Sequence, residues 1–230
     1  MPDSLQIAGL QRLSTVDWPG KLAAVAFLQG CPWACTYCHN TAIIDCAMPG
    51  MVSWDDVRTF LSRRRGLLDG MVFSGGEATR QPALLPAVRQ TRELGFAVGL
   101  HTAGAFPNRL RELLDQELVD WVGLDIKATP VDYQSLTGSP VAAEKAEKAL
   151  EILLSHDVDY EVRMTLWKGG IDYAVAVAQW CLDRGVKQFA LQRLVESPSA
   201  SLWKGPTPQW EKDEALVRLG ALGFDHVAVR

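Results

Sequence analysis

Cys31, Cys35 and Cys38 fall within eight residues, in the run CPWACTYC. Thiols at that density point to metal ligation rather than a disulfide framework: five cysteines are an odd count, and the opening MPDSLQIAGL carries an acid where a secretory signal carries a basic region. By chance, a cysteine followed by others at these two spacings would arise in roughly one chain in a thousand. Two chemistries fit. A structural zinc site wants four closed ligands, which His39 after Cys38, or Cys46 further on, would have to complete. An iron-sulfur cluster held by three thiolates instead keeps one iron open, and an open metal position is where a small molecule binds and reacts. Cys181 lies in a helical stripe with Tyr173, Ala176 and Trp180 and reads as a buried small hydrophobe.

Other reactive side chains recur downstream. Gly75 and Gly76 make either a strand-to-helix turn needing positive φ or a place where backbone approaches a ligand. Glu77 after them complements a helix dipole or pairs a ligand's ammonium. Asp125 and Lys127 stand two apart on an apolar run and so share a strand face, as an internal salt bridge or as a pair for a ligand. His101, Thr102, Arg163 and Gln192 lie on or at the ends of further apolar runs, whereas His156 and His226 carry no signal. Tyr37 and Trp33 are core aromatics or ring contacts for a ligand.

The elements that position these residues alternate. Apolar, β-rich runs predict strands near Leu22 to Gln29, Met71 to Ser74, Phe96 to Leu100, Val119 to Ile126, Tyr160 to Leu166 and Lys187 to Leu191. Between them, Trp54, Val57, Phe60 and Leu61 mark one helical stripe with Ser53 as its N-cap, and Leu84, Leu85, Val88 and Leu94 mark a second. Helices are expected over Asn108 to Leu114, Val141 to Ser155, Asp172 to Asp183 and Gln209 to Leu219. Six strand-then-helix units argue a parallel α/β architecture, doubly wound or barrel-like, and both put their sites at the carboxyl ends of strands, where these polar groups cluster. With 230 residues and no linker or repeat, one domain over 1–230 is expected. A net charge of −4 does not provide the cationic surface of a nucleic-acid binder, and no apolar run approaches a bilayer span, so a cytoplasmic protein without nucleic-acid or membrane partners is expected.

The motif CPWACTYCHN resembles that of the radical S-adenosylmethionine superfamily, with an aromatic, here Tyr37, before the last cysteine. The resemblance implies that Cys31, Cys35 and Cys38 hold one four-iron, four-sulfur cluster whose open iron is chelated by S-adenosylmethionine. It continues through Ser74-Gly75-Gly76-Glu77 and Asp125-Ile126-Lys127. The run Thr15-Val16-Asp17-Trp18-Pro19-Gly20-Lys21 is similar to the amino-terminal signature of glycyl radical enzyme activating enzymes, above all those of anaerobic ribonucleoside-triphosphate reductase. By this resemblance the fold is a partial (β/α)6 TIM-like barrel. Tyr37, Gly75, Gly76, Glu77, Thr102, Asp125, Lys127 and Gln192 bind the cofactor, with Glu77 on its ammonium. The partners are a reductase chain and an electron donor such as flavodoxin or ferredoxin. A compact relative acting on a small molecule, of the 7-carboxy-7-deazaguanine synthase kind, shares the same motifs, and a non-catalytic electron-transfer module would leave two of them unexplained. His101 stands where the pyruvate formate-lyase activator has an aspartate. The Trp18-Pro19-Gly20 turn is expected beside the cluster, with Asp17 meeting an arriving glycine loop.

Anaerobically reconstituted protein is expected to hold one oxygen-sensitive cluster, lost in Cys31→Ala, Cys35→Ala or Cys38→Ala and kept in Cys46→Ala and Cys181→Ala. Iron and sulfide analysis with visible absorption checks this; one equivalent of zinc and no iron uptake would sink the ligand assignment.

Overall fold

The computed structural model describes residues 1–194 and 207–230. Strand β1 (Ile7–Ser14) lies antiparallel to β2 (Ala23–Leu28). From β2 the sheet grows in parallel through β3 (Gly70–Gly75), β4 (Ala97–Thr102), β5 (Trp121–Asp125), β6 (Asp159–Leu166), β7 (Gln188–Arg193) and β8 (His226–Val229). Each strand pairs with the next in sequence, in the order β1 to β8. A doubly wound sheet reverses its order at a switch point; this one winds in a single direction, as a barrel wall does. The ends of the row do not pair, so the wall is partial.

Helices α1 (Trp54–Ser62), α2 (Leu84–Glu93), α3 (Pro107–Asp115), α4 (Tyr133–Thr137), α5 (Ala142–Leu154), α6 (Ile171–Leu182) and α7 (Gln209–Gly220) occupy the crossovers. Ser53 caps α1 as expected, its hydroxyl accepting from the Asp56 N–H at 3.1 Å. Strand β2 shows why the central strands read as unbroken apolar runs: Ala24, Ala26 and Leu28 pack outward under the helices, while Ala23 and Val25 pack inward. Six strands follow the expected spans to within two residues, whereas β1, β8 and the short α4 are additions to them.

The inward cluster is built on Trp18, which is buried and stacks on Trp121 with ring centroids 5.9 Å apart. A Cβ on either Gly70 or Gly99 would come within 2.9 Å of the Trp18 ring, so two inward positions are left bare to admit it. Gly70 and Trp121 open β3 and β5, and the cysteine loop leaves β2 at the opposite, carboxyl end. This corrects one expectation. The Trp18-Pro19-Gly20 turn does not flank the cysteines; its tryptophan floors the interior from the other end, because a large ring is stabilised by burial rather than by standing at a rim.

Trp18→Ala is therefore expected to cost about 3–5 kcal/mol of stability by removing a buried indole that the surrounding strands cannot collapse to fill. Leu13→Ala, at a residue 54% exposed, should change stability by less than about 0.5 kcal/mol. Denaturant unfolding of the two variants checks both values, and a Trp18→Ala loss as small as that of Leu13→Ala would refute the floor.

Candidate active site

The carboxyl ends of β2 to β7 surround one cavity of about 480 Å³. A flat sheet would spread six strands over about 24 Å. Here Phe27 of β2 and Gln192 of β7 line the same space, so the sheet is curled around it. Cys31, Cys35 and Cys38, all half-buried, line it too. Their loop is held by main-chain bonds from both sides: Gly30 N–H to Ile43 O at 2.8 Å and Cys31 N–H to Ile44 O at 2.9 Å, then Ala34 N–H to Thr137 O and Thr36 N–H to Leu136 O at 3.0 Å each. The last two acceptors end α4, the helix the strand-and-helix pattern did not foresee; Gly138 in the left-handed region just after it was its one local signal.

Three thiols around one cavity are the donor set of a cluster that takes a thiolate on each of three irons. Burial pushes Cys31 up to about 12 and raises Cys35 as well, so the metal must displace their protons. Cys46 is exposed and outside the cavity, its Sγ 3.5 Å from the Cys31 carbonyl, and Cys181 is buried in α6. No three His, Cys, Asp or Glu side chains among the described residues converge on a single ion.

Gly75 and Gly76 press against this loop. A Cβ on Gly75, which sits at φ +120°, would meet Leu28 N at 2.2 Å; one on Gly76 would meet Gly30 O at 2.5 Å and Cys31 Cβ at 3.1 Å. The approach is sealed by Gly76 N–H to Leu28 O and Glu77 N–H to Gly30 O, both 3.0 Å. Both glycines reach the cavity wall, but Glu77 does not. Its buried carboxylate accepts from Thr79 N–H (3.0 Å), the Thr79 hydroxyl (2.6 Å), the Thr102 hydroxyl (2.7 Å) and Ala103 N–H (2.9 Å). The carboxylate expected on a ligand's ammonium is taken up here by four bonds within the protein, two from the adjacent Thr79 and two that tie it to Thr102 and Ala103 at the end of β4.

Asp125, Lys127 and Arg163 form one charged group on the cavity wall, which Asp17 and Arg193 line as well. Arg163 Nε and one terminal nitrogen donate to Asp125 Oδ1 at 2.8 Å, and Lys127 Nζ lies 3.5 Å from Oδ2. Burial alone would raise the Asp125 carboxyl, but the two cations outweigh it and hold it low. Burial works against the Lys127 charge, yet the acidic groups around it, Tyr37, Asp125 and Cys35, keep it well raised. Lys127 Nζ sits 5.8 Å from the centre of the Tyr37 ring. Tyr37 and Trp33 line the cavity, as do Thr102 and Gln192. His101 is not a free ligand. Its Nε2–H must donate to the Asp17 carbonyl at 2.7 Å, leaving Nδ1 to accept from Ser74 Oγ at 3.1 Å. Burial, then the Arg163 charge, push its pKa down to about 3, so it stays neutral. Asp17 lines the cavity, but its carbonyl is held by His101 and its carboxylate by Ser14, so a residue expected to meet an incoming loop is fixed within the protein.

Residues 25–179 match the family model of the radical SAM superfamily, and the chain belongs to that superfamily. It is an enzyme whose family uses a four-iron, four-sulfur cluster and S-adenosylmethionine, and its branch is that of the glycyl-radical enzyme activating enzymes. A protein of Methanocaldococcus jannaschii named as such an enzyme is 31% identical, over 97% of this chain and 95% of its own. The pyruvate formate-lyase 1-activating enzyme of Escherichia coli is 28% identical over 78% of this chain and 76% of its own. A solved radical SAM methyltransferase from Sphaerobacter thermophilus shares the fold, with a TM-score of 0.69 at 18% identity, over 93% of this chain and 67% of its own.

Glu77→Gln is expected to cost the unloaded protein about 1–3 kcal/mol, because an amide nitrogen must face N–H or O–H donors that the carboxylate accepted. Chemical unfolding checks this, and unchanged stability with weakened cofactor binding would instead return Glu77 to the ligand.

Proposed function

We propose that this chain, acting as a single cytoplasmic domain, installs a glycyl radical on anaerobic ribonucleoside-triphosphate reductase. The observation that carries the reading is the cavity itself, which gathers three thiols and an ion-paired group in which Asp125 is held between Lys127 and Arg163. Cys31, Cys35 and Cys38 would hold the cluster, which when reduced supplies the electron that splits S-adenosylmethionine into methionine and a 5′-deoxyadenosyl radical.

The remaining work belongs to the protein. The bound cofactor is itself an ammonium, a carboxylate and a sulfonium. Asp125, at the end of β5 on the cavity wall, suits the ammonium, while Lys127, Arg163 and Gln192 suit the carboxylate. Gly75 and Gly76 offer bare backbone beside the cysteine loop, and Tyr37 and Thr102 give ring and hydroxyl contacts. Because Arg163 and Lys127 already neutralise Asp125, these groups keep fixed positions when the zwitterion enters and need little reorganisation. The aromatic wall of Trp33 and Tyr37 keeps water from the radical. A partial wall supports a macromolecular substrate, since a glycine-bearing loop needs one side open. The resemblance of the WPGK and CPWACTYCHN runs to the reductase activators favours that target over other glycyl radical enzymes.

Incubated anaerobically with the reductase, S-adenosylmethionine and a reduced flavodoxin, the reconstituted protein should produce a glycyl radical signal in electron paramagnetic resonance, with matching 5′-deoxyadenosine. Accumulation of 5′-deoxyadenosine with no radical on the reductase would overturn the target and favour another glycyl radical enzyme or a small molecule.

A further inference from the structure

The outside of the cysteine loop carries cations that the reaction above does not use. Arg80 lies directly behind Gly30, the residue before Cys31: a Cβ on Gly30 would come within 2.6 Å of its guanidinium. Its Nε is shielded from solvent without a hydrogen-bond partner, and one terminal nitrogen reaches only the Gln29 carbonyl, at 3.3 Å. Arg109 donates to the Thr79 carbonyl at 2.8 Å and to that of Arg80. Its guanidinium lies 5.6 Å from the centre of the Phe106 ring, and Lys145 Nζ lies 5.4 Å from the same ring. Arg109 and Lys145 thus flank one ring between α3 and α5, and Arg109 is joined to the main chain of Arg80, whose own guanidinium is tucked under the cysteine loop. Among the described residues none of them has a carboxylate within 4 Å; the neighbouring Glu147 on α5 is committed to Arg184. None of the three lines the cavity.

We propose that Arg109 and Lys145, backed by the Arg80 guanidinium beneath the cysteine loop, form the docking surface for an acidic one-electron donor protein, a reading that rests on the proposed activase chemistry. Charge complementarity argues for it. The chain carries a net charge of −4, so a donor rich in carboxylates is repelled overall and needs a local cationic landing site. The placement argues for it too. Through Arg80 the pair is joined to Gly30, and neither Gly30 nor any of the three cations lines the cavity, so a donor there approaches the cysteine loop without competing with the cofactor or with a glycine loop entering the cavity. The step itself is simple to balance: one electron passes to the cluster, the donor is left oxidised by one electron, and no bond forms or breaks.

The test compares wild type with Arg109→Gln/Lys145→Glu, neither residue being part of the cavity, and uses flavodoxin as the donor. Binding of oxidised flavodoxin, followed by flavin fluorescence at low ionic strength, should weaken about tenfold, with a shallower salt dependence, and the rate of cluster reduction by reduced flavodoxin should fall by a similar factor. Reduction by dithionite should be unchanged. Arg109→Lys, which keeps the charge, should bind flavodoxin nearly as wild type does. Equal flavodoxin affinity in wild type and double variant would overturn the proposal, as would an equal loss with dithionite, which would mean a damaged cluster site, or a loss of affinity for the reductase alone. A wild-type protein that binds flavodoxin and accepts its electron but leaves no radical on the reductase would refute the activase target and leave this surface standing.

Discussion

Everything in the site depends on how closely the main chain of β3 can lie against the loop that carries the cysteines. The contact between Gly75-Gly76 and Leu28–Cys31 leaves no room for a side chain at either glycine. Moving the two apart by the width of a methyl group would break the bonds from Gly76 to Leu28 and from Glu77 to Gly30, and with them the orientation of the first cysteine. Glu77 is the clamp on that approach. By accepting from the ends of β3 and β4 together, it fixes the loop from behind while its own charge stays out of the cavity. The motif therefore acts here through geometry as much as through any contact with a ligand.

A second constraint comes from charge. Asp125, Lys127 and Arg163 are costly to bury singly, and Asp125 is held by the other two together. The three sit on two adjacent strands and the loop just beyond one of them, which a parallel register aligns without intervening chain: Asp125 is directly paired with Arg163 across β5 and β6. A cofactor with both signs of charge would meet groups of both signs already fixed in place, with one cation in excess of the single carboxylate they share.

How much of this was readable beforehand differs by residue. The central strands were legible because both faces are buried, which turns each into an unbroken apolar run. β1 was not, since its Gln11 to Leu13 face solvent and Gly9 interrupts the pattern, and β8 is too short to show one. The spacing of the cysteines pointed to a metal without choosing between zinc and a cluster, and that of Asp125 and Lys127 put them on one face without choosing between a salt bridge and a ligand; their roles came from the family resemblance. The inward turn of Glu77 was not legible, because its partners Thr102 and Ala103 come from a different strand. The tie between His101 and Asp17 was hidden for the same reason, bridging 84 residues of sequence. Local pattern reports which face a residue occupies; it does not report which distant donor will be waiting there.

The neighbour-to-neighbour strand order also bears on how the protein is made. Each strand emerging from the ribosome finds its partner in the one just before it, so the wall can extend in the direction of synthesis. The thiols belong to the first parallel strand and its loop, while Arg163 and Gln192, which help enclose the same cavity, are translated much later. During that interval the thiols are present without their shelter. Cluster insertion into a finished wall, rather than into the nascent loop, would spare the metal that exposure and make maturation a post-translational event.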